Sequence, residues 1–394
     1  MNSFPRVILA PKKERSVKLF HPWVFSGAIR TIEGEVKEGD MVEVFSNEGQ
    51  YLASGHFHEG SIKVRIISFE KTTAGADFWL QRIKAAYDSR ERLGLADSEQ
   101  TNVYRLIHAE GDGLPGLIID IYGSVAVIQT HTLGMYNARH MITDALKAIY
   151  GTKLEAVFDK SSETMSKQNT IHVSNEFLLG NVQENVVVEN DVKFYVNWVE
   201  GQKTGFFIDQ RDNRSLLSKY SAGKTILNTF SYSGGFSMYA LKAGAKEVHS
   251  VDSSKKAAEL ALRNAELNGV SNHHHFFTED AFDFLKKSHD KYDIVILDPP
   301  AFAKHLSAVE KAMIGYRNLI LEGFKQVKKG GMLFTFSCSQ VMDKVLFRKV
   351  VFQAAAQSGR DVKILYQLSQ GPDHPINIYH PEGEYLKGLV LQVF

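Results

Sequence analysis

Cysteine is almost absent from this sequence, since Cys338 is the only one among 394 residues. An internal disulfide and a cysteine-rich zinc site both need more than one cysteine and are therefore excluded. Long apolar runs are also missing, because no stretch could span a bilayer and residues 1–11 lack the apolar core of a secretory signal. We therefore expect a cytoplasmic protein without a membrane partner.

A strong net charge is missing as well, since 46 basic residues face 45 acidic ones and leave a formal net charge of +1. Nucleic-acid binding cannot be inferred from such a total. The first thirty residues differ from the rest, because they carry a single acidic residue, Glu14, and several basic ones: Arg6, Lys12, Lys13, Arg15, Lys18 and Arg30. This segment is either a solvated basic edge or a surface for RNA phosphates.

The length of the chain predicts two or three domains. Residues 1–72 are expected to form a small β-rich domain, with strands at 42–45 and 63–67. Turn residues such as Glu38-Gly39-Asp40 separate these short strands.

Residues 73–190 predict a helical connector followed by a small central α+β domain. The connector is a helix from Phe78 to Leu93, which Asp77 is expected to cap. Two apolar strands, 117–122 and 125–130, flank Gly123-Ser124 and indicate a hairpin. Helical spacing then extends from Tyr136 to Tyr150.

Residues 191–394 show strands that alternate with helices, which is typical of an α/β domain with a doubly wound, mainly parallel, Rossmann-like sheet. The predicted strands and helices are listed here in chain order: strand 225–230, helix 236–243, strand 247–251, helix 255–267, strand 292–297 and strand 332–336. Ligands of such sheets bind outside the carboxyl ends of the strands. We therefore examined the residues that follow each strand.

Three features in series suggest a site for an adenosine-bearing ligand. The loop from Phe230 to Phe236 contains Gly234-Gly235 and is either a ligand-binding loop or a tight turn. Asp252 is placed to accept hydrogen bonds from a ribose, or else caps the next helix. Asp280 is placed to accept a hydrogen bond from an adenine amine, or else caps a helix as well.

The strand over 292–297 ends in Asp298-Pro299-Pro300-Ala301-Phe302. Two prolines cannot continue a central strand, so the chain must leave the sheet here in a stiff loop. A carboxylate beside an aromatic ring suits a flipped RNA base, which needs hydrogen bonds at its edge and stacking on its face. The alternative is a rigid strand exit without a ligand.

Cys338 follows the next strand and is expected at the same edge of the sheet. Free cysteines are more often small buried fillers. A thiolate, however, can add to carbon 6 of a pyrimidine and so activate carbon 5, which divides one difficult step into easier ones. Asp298 is placed to hold the ring-nitrogen edge of cytosine during that addition.

Taken together, the motifs resemble those of the ribosomal large-subunit RNA cytosine-5 methyltransferase family, the RlmI-like group. They are G-Q-K-T-G-F-F-I-D-Q-R (201–211), F-S-Y-S-G-G-F (230–236), V-D-S-S (251–254), D-P-P-A-F (298–302), S-C-S (337–339) and P-D-H-P (372–375). The resemblance covers nearly the whole chain, and Lys18 to Ile29 is similar to the start of that family's RNA-binding PUA domain.

The resemblance implies a class I methyltransferase domain, a PUA-like domain, S-adenosylmethionine as methyl donor, 23S ribosomal RNA as partner and a homodimer. It implies Cys338 as nucleophile, assisted by Asp298, and no metal. The donor site would comprise Thr204, Phe206, Phe230, Ser231, Tyr232, Gly234, Asp252, Ser253, Asp280 and Asp298. The RNA would contact Pro299, Pro300, Phe302 and Lys18.

Two alternatives remain open at this point. Methylation of an exocyclic amine of an RNA base also uses an Asp-Pro-Pro-aromatic motif and needs no cysteine. An inactive RNA-binding protein would need none of these residues, although the intact series of acids argues against decay. Two further segments are less specific: Asp209 is a possible helix cap, and His273-His274-His275 suggests a polar connector rather than a metal site.

Overall fold

The computed structural model describes residues 4–165, 173–287, 291–303 and 305–394. The chain divides into two compact units. The first comprises Met1–Val187, Val196–Phe206 and Pro372–Gly383, and the second comprises Val188–Tyr195, Phe207–Gly371 and Glu384–Phe394. The predicted three-domain boundaries, at 72/73 and 190/191, stay a prediction. No helix in the described ranges is long and apolar enough to cross a membrane.

The first unit begins with a six-stranded sheet in the order β2-β6-β5-β4-β1-β3. Its elements are β1 (Arg6–Leu9), α1 (Arg15–Lys18), β2 (Trp23–Phe25), β3 (Ile29–Glu33), β4 (Met41–Phe45), β5 (Tyr51–Phe57) and β6 (Ile62–Ser68). Alternate residues such as Val7, Val42 and Val64 are fully buried and form one apolar core. The strands predicted at 42–45 and 63–67 are therefore confirmed.

A five-stranded sheet in the order β11-β10-β9-β8-β7 follows in the same unit. The elements are α2 (Ala76–Arg92), β7 (Val103–His108), β8 (Leu117–Tyr122), β9 (Val125–Thr130), α3 (Leu133–Asn137), α4 (Arg139–Tyr150), β10 (Ala156–Asp159), α5 (Ser162–Met165) and β11 (Glu176–Leu179). Its separate apolar core is built around Trp79, Ile119 and Ile142. The predicted hairpin is confirmed, since β8 and β9 pair in antiparallel fashion.

Two local predictions in this region are wrong. Asp77 does not cap α2, because Gly75 occupies the cap position and Asp77 lies within the first turn, where its charge still favours the helix dipole. The helix expected over 136–150 is two helices, because Ala138 ends α3 and precedes α4. Neither glycine nor proline lies at that break, and the apolar spacing continues through it, so the sequence gives no sign of two helices.

The segment Pro372–Gly383 completes the first unit through polar contacts. Arg90 is only 1% exposed, and its Nη2 donates a hydrogen bond to the Asp373 carbonyl oxygen at 2.9 Å. The backbone N–H of Arg105 donates to Asp373 Oδ2 at 3.0 Å. A buried guanidinium is stable only with its hydrogen bonds made, so this late segment is part of the unit's structure.

Two strands, β12 (Glu184–Glu189) and β13 (Val192–Asn197), pair with each other. The second unit contains a seven-stranded sheet in the order β16-β15-β14-β17-β18-β20-β19. Its elements are α6 (Arg211–Ser221), β14 (Thr225–Thr229), α7 (Gly235–Lys242), β15 (Glu247–Asp252), α8 (Lys255–Leu267), β16 (His274–Thr278), α9 (Ala281–Leu285), β17 (Tyr292–Leu297), α10 (Val309–Gln326), β18 (Val327–Ser337), α11 (Lys344–Ser358), β19 (Val362–Ser369) and β20 (Lys387–Val393).

Strands β14 to β18 are mutually parallel, and β20 pairs in antiparallel fashion with both of its neighbours. The core is formed by buried strand residues such as Leu227 and Val295 against α10 residues such as Phe324. The predicted doubly wound, mainly parallel sheet is confirmed.

Candidate active site

The order of the strands reverses at β14, because β15 lies on one side of it and β17 on the other. Register pairs Thr229 at the end of β14 with both Val251 and Leu297. The next residues in sequence, Phe230, Asp252 and Asp298, therefore emerge at one edge of the sheet. A crevice at such a switch point is the usual ligand site of this fold.

The loop after β14 has an unusual backbone. Phe230, Tyr232 and Gly234 have φ values of 56°, 44° and 77°. This region favours glycine, so the two aromatic residues are strained, and such strain persists only where the surroundings impose it. Ser231 is buried, and its Oγ makes no hydrogen bond within the described residues. A polar group of a ligand would satisfy this hydroxyl.

Asp252 holds that loop in place. Its Oδ2 accepts a hydrogen bond from the Tyr232 backbone N–H, and its Oδ1 accepts one from Ser254, each at 3.0 Å. A carboxylate has about four acceptor positions, so positions remain for ribose hydroxyls. The alternative that Asp252 caps α8 is wrong, because Ser254 is the cap. Ser253, between them, is exposed.

Asp280 is exposed and does cap a helix. Its Oδ1 accepts hydrogen bonds from the backbone N–H groups of Phe282, at 2.9 Å, and Asp283, at 3.2 Å. These bonds leave Oδ2 available to an adenine amine. The Phe282 ring beside it lies 6.5 Å from Phe230 and 6.2 Å from Phe302, between ring centroids. This aromatic row offers an apolar surface for a flat ring.

Asp298 is half-buried and has one hydrogen-bond donor in the described structure outside its own loop, Gln210, whose Nε2 lies 3.0 Å from Oδ2. Burial raises the pKa of Asp298 to about 7, and the negative charge of Asp209 adds to that rise. The Gln210 bond and the charge of Arg214 oppose it. A carboxyl group with such a pKa can both give and take a proton near neutral pH.

Asp209, predicted as a possible cap, is not one. Gln210 occupies the position before α6 and makes no side-chain cap bond. Asp209 Oδ2 instead accepts a hydrogen bond from the hydroxyl of Tyr385 at 2.7 Å. Its negative charge raises the pKa of Asp298.

Cys338 follows the end of β18 and is half-buried. One bond ties its loop to the loop after Asp298, and a second connects the end of β18 to α10. Ser339 Oγ donates to the Ala303 carbonyl oxygen at 2.6 Å, and Ser337 Oγ donates to the Tyr316 hydroxyl at 3.0 Å. The Tyr316 ring stacks against Phe302 at 4.4 Å between centroids. The thiol loop and the Asp-Pro-Pro loop therefore form one connected structure.

Two buried titratable groups accompany Cys338. Burial raises the pKa of Tyr316 to about 12. The charges of Cys338 and Asp298 add smaller increases, so Tyr316 interacts electrostatically with both residues. Burial also lowers the pKa of Lys387 to about 8, while attraction to Cys338 partly restores it. The Lys387 Nζ donates to the Ser339 carbonyl oxygen at 2.6 Å. A cation so placed favours the thiolate form of a cysteine.

The Asp-Pro-Pro loop itself has a buried Pro299, an exposed Pro300 and a half-buried Phe302. Thr204 and Phe206 belong to the first unit and have partners there. The Thr204 hydroxyl donates to Asp120 Oδ2 at 2.5 Å, and the Phe206 backbone N–H donates to the Tyr122 hydroxyl at 3.2 Å. Their contact with the methyl donor stays a prediction.

Sequence analysis missed four residues at this edge: Gln210, Phe282, Tyr316 and Lys387. Gln210 lies within the 201–211 motif, and Phe282 lies two residues after Asp280, so their proximity to assigned acids was a usable signal. Lys387, a charged residue at the start of the apolar run of β20, was a weaker signal. Tyr316 lies within α10 and carries no signal, because its position depends on the packing of α10 against the sheet.

Comparison with known proteins identifies the family. A family model for a PUA-like domain matches residues 7–69, and one for an S-adenosylmethionine-dependent methyltransferase matches residues 163–380. Ribosomal RNA large subunit methyltransferase I of Aeromonas salmonicida is 41% identical over 98% of both chains. The chain belongs to the ribosomal RNA large subunit methyltransferase I family. The Klebsiella pneumoniae relative of the same name is 35% identical over 99% of this chain and 98% of that one.

Two solved structures have the same fold as this chain. A methyltransferase complexed with SAH has a TM-score of 0.85, with 24% identity over 98% of this chain and 100% of that chain. A structure described as a SAM-dependent methyltransferase from Streptococcus mutans has a TM-score of 0.83, with the same identity and coverage. The N-terminal domain is therefore PUA-like, and the C-terminal domain is a Rossmann-like methyltransferase.

S-adenosylmethionine is the methyl donor of the family, and the observed residues fit it. The buried Ser231 hydroxyl lacks a partner among the described residues, and Asp252 retains acceptor positions. The Phe230–Phe282 pair offers an apolar surface that suits an adenine ring. These features lie around the switch point, where the fold places its ligand.

Proposed function

We propose that this protein methylates carbon 5 of a cytosine in the RNA of the large ribosomal subunit, 23S rRNA, with Cys338 as a covalent nucleophile. The names of the curated relatives support large-subunit ribosomal RNA as substrate. The observation that carries the mechanism is the connection between the Cys338 and Asp298 loops through Ser339 and Tyr316. This connection supports a mechanism in which the Cys338 thiol and the Asp298 carboxyl act on the same base.

Cys338 would supply the nucleophile. Its thiolate adds to carbon 6 of the cytosine, and the electron pair of the 5,6 double bond becomes available at carbon 5. S-adenosylmethionine supplies an electrophilic methyl group when bound. Removal of the carbon 5 proton then re-forms the double bond and expels the thiolate. Lys387 assists by favouring the charged form of the thiol before the addition.

Asp298 would supply and take the proton that this addition needs. With a pKa near 7, its carboxyl group is partly protonated at neutral pH and can donate to ring nitrogen 3 as the thiolate adds. The base that removes the carbon 5 proton is then water or the Asp298 carboxylate, and ring nitrogen 3 gives up its added proton to the other of the two as the thiolate leaves. Phe302 beside it would stack on the base, as the sequence predicts.

The first unit would bind other parts of the RNA. Phe20 and Phe25 are large aromatic side chains with 47% and 45% exposure, near the basic helix α1 that carries Lys18. Exposed rings stack on unpaired bases, and the basic side chains neutralise phosphates. Affinity for RNA should therefore fall steeply with salt, measured by fluorescence anisotropy from 50 to 200 mM KCl. The homodimer, the role of Lys18 and the cytoplasmic location stay predictions.

The decisive experiment compares wild type with Cys338→Ala on RNA that contains 5-fluorocytosine. Fluorine at carbon 5 cannot leave as a proton, so wild type should form a denaturant-resistant covalent complex with this RNA. Cys338→Ala should lose both the complex and turnover on ordinary RNA, while its affinity for S-adenosylmethionine stays unchanged. Wild-type turnover by Cys338→Ala would overturn the proposal and favour methylation of an exocyclic amine through the Asp298-Pro299-Pro300 loop.

A further inference from the structure

Glu247, His249 and His275 form a cluster in the second unit that the methyl-transfer site does not use. Glu247 and His249 are two residues apart in β15, so their side chains lie on one face of the sheet. His275 in the neighbouring strand β16 is the register partner of His249. The pleat therefore places all three side chains side by side, in the amino-terminal halves of the two strands.

The distances in this cluster suit a small cation. Glu247 Oε1 lies 2.8 Å from His249 Nε2 and 3.3 Å from His275 Nε2. All three ligand atoms lie within 4.8 Å of one another. Tetrahedral zinc with bonds of about 2.0–2.2 Å separates its ligand atoms by about 3.3–3.6 Å. His275 is 49% exposed, so its side chain can move to bring its ring nitrogen within bonding distance of an ion held by Glu247 and His249.

His249 also has the supporting contact that metal-binding imidazoles usually have. Its Nδ1 lies 2.8 Å from the hydroxyl of Tyr292. Without a cation, Tyr292 donates to Nδ1, and the Nε2 proton points to Glu247. With a cation on Nε2, the imidazole proton resides on Nδ1 and is donated to the Tyr292 oxygen. A hydroxyl can take either role, so the ring stays neutral and fixed in orientation.

We propose that Glu247, His249 and His275 bind one Zn²⁺ ion. A carboxylate and two imidazoles are ligands that Zn²⁺ accepts readily, and the exposed side of the cluster leaves a fourth position for water. The ion would join β15 to the outermost strand β16. The connector predicted over His273-His274-His275 is wrong for His274 and His275, since both lie in β16. The acid that completes the cluster lies 28 residues before His275 in sequence, so local spacing does not reveal it.

The other two histidines of the run have different surroundings. His274 is buried and its Nε2 lies 2.7 Å from Ser250 Oγ. His273 is exposed, and its Nδ1 lies 3.0 Å from the Lys246 carbonyl oxygen. His273→Ala is therefore a matched control, because it removes an imidazole from the same run but not from the cluster. Lys291 faces Glu247 and His249 with an opposing positive charge.

The test is a titration of metal-free, full-length protein with Zn²⁺ by calorimetry. Wild type should bind one equivalent, and His275→Ala and Glu247→Gln should each bind at least about ten-fold more weakly. His273→Ala should bind like wild type, and Lys291→Gln should bind more tightly. Absence of binding, or equal binding by wild type and His275→Ala, would overturn the site. Affinity for S-adenosylmethionine, measured in parallel, should be unchanged in every variant and reports that the fold is intact.

Cobalt offers an independent readout. Co²⁺ in a tetrahedral N/O site absorbs visible light more strongly than hexa-aqua Co²⁺, so wild type should gain bands that His275→Ala lacks. A wild-type spectrum equal to that of aqueous Co²⁺ would contradict a tetrahedral site. The thermal midpoint should also rise with Zn²⁺ in wild type and His273→Ala but not in His275→Ala, because an ion that binds only the folded state stabilises it.

Discussion

The carboxyl edge of the seven-stranded sheet has two halves, and their aspartates differ in hydrogen-bond partners and in neighbouring charge. Asp252 and Asp280, after β15 and β16, each accept two backbone N–H hydrogen bonds. We call these strand ends the binding half. Asp298 and Cys338, after β17 and β18, form the reactive half. Asp298 has the Gln210 side chain as donor and the negative charge of Asp209 nearby, and its pKa is raised.

The difference teaches how one sheet edge separates binding from proton transfer. In the binding half, backbone N–H groups hold each carboxylate in a fixed orientation, so its remaining acceptor positions are available to hydroxyl and amine groups. Burial and a like charge favour the neutral form, so the reactive half presents a group that exchanges its proton near pH 7. Under the proposed function, the same residue type would perform two functions, and its surroundings would decide which.

The largest effect should come from Asp298→Asn. Asparagine keeps the shape and a hydrogen bond to Gln210 but cannot transfer a proton, so kcat should fall by about 10²–10⁴-fold. Single-turnover methylation measures the rate, and calorimetry measures donor affinity. Donor affinity decides whether Asp298 also belongs to the donor site, as the family resemblance implies; by this division of roles, it should change less than about two-fold. A collapse of donor binding would instead place Asp298 in the binding half.

Lys387→Met should have the next largest effect. Without the cation, the Cys338 thiolate forms less readily, so methylation at pH 7 should fall by roughly ten- to a hundred-fold. The midpoint of the pH dependence of Cys338 alkylation by iodoacetamide should move to higher pH. Lys387→Arg should restore both values in large part. An unchanged alkylation profile with a slower reaction would show that Lys387 only supports the loop.

Asp252→Ala tests the binding half. Loss of a charged acceptor should weaken S-adenosylmethionine binding by about 1.5–3 kcal/mol, while kcat at saturating donor changes little. Glu259→Ala removes an exposed carboxylate from the same helix region and should leave the affinity unchanged. Calorimetry at one ionic strength separates the two variants. Equal affinities for Asp252→Ala and wild type would remove Asp252 from the donor site.

A separate prediction concerns stability rather than activity. The folded-state pKa of Asp298, about 7, exceeds the value of about 3.9 for an unfolded aspartate. Wild type therefore loses folding stability relative to Asp298→Asn as pH rises from about 4 to 7, and the difference is constant above that range. Urea unfolding at pH 5, 6, 7 and 8 measures this, with Glu259→Gln as a control that should show no such trend. If the difference in free energy of unfolding between Asp298→Asn and wild type does not grow with pH, the result would contradict the raised pKa of Asp298.

The regular part of the fold was predictable because its signals are local. The helix Lys255–Leu267 and the strand Tyr292–Leu297 agree with prediction to the residue. Clear punctuation bounds both, Asn268-Gly269 in one case and two prolines in the other. Strand β18 begins at Val327, earlier than the predicted 332, because pairing of Val327 with Tyr292 extends it through residues of low strand propensity.

Only the site residues that lie at or just after the ends of strands were predictable from the sequence. Asp252, Asp280, Asp298 and Cys338 each follow a recognisable strand, so topology alone brings them to one edge. Gln210 reaches Asp298 from 88 residues away, and Lys387 reaches Ser339 from 48 residues away. Such contacts depend on packing between elements, which periodicity does not report. The raised pKa of Asp298 was hidden for the same reason.

The place of Pro372–Gly383 in the first unit has a consequence for biosynthesis. The ribosome makes most of that unit first, yet the Asp373 groups that satisfy Arg90 and Arg105 are separated from them by 283 and 268 positions. A nascent chain must therefore carry an unfinished first unit, with a buried guanidinium short of an acceptor, until nearly the whole message has been translated. Contacts between residues so far apart in sequence form slowly, so the first unit is completed late in folding although most of it is synthesised first.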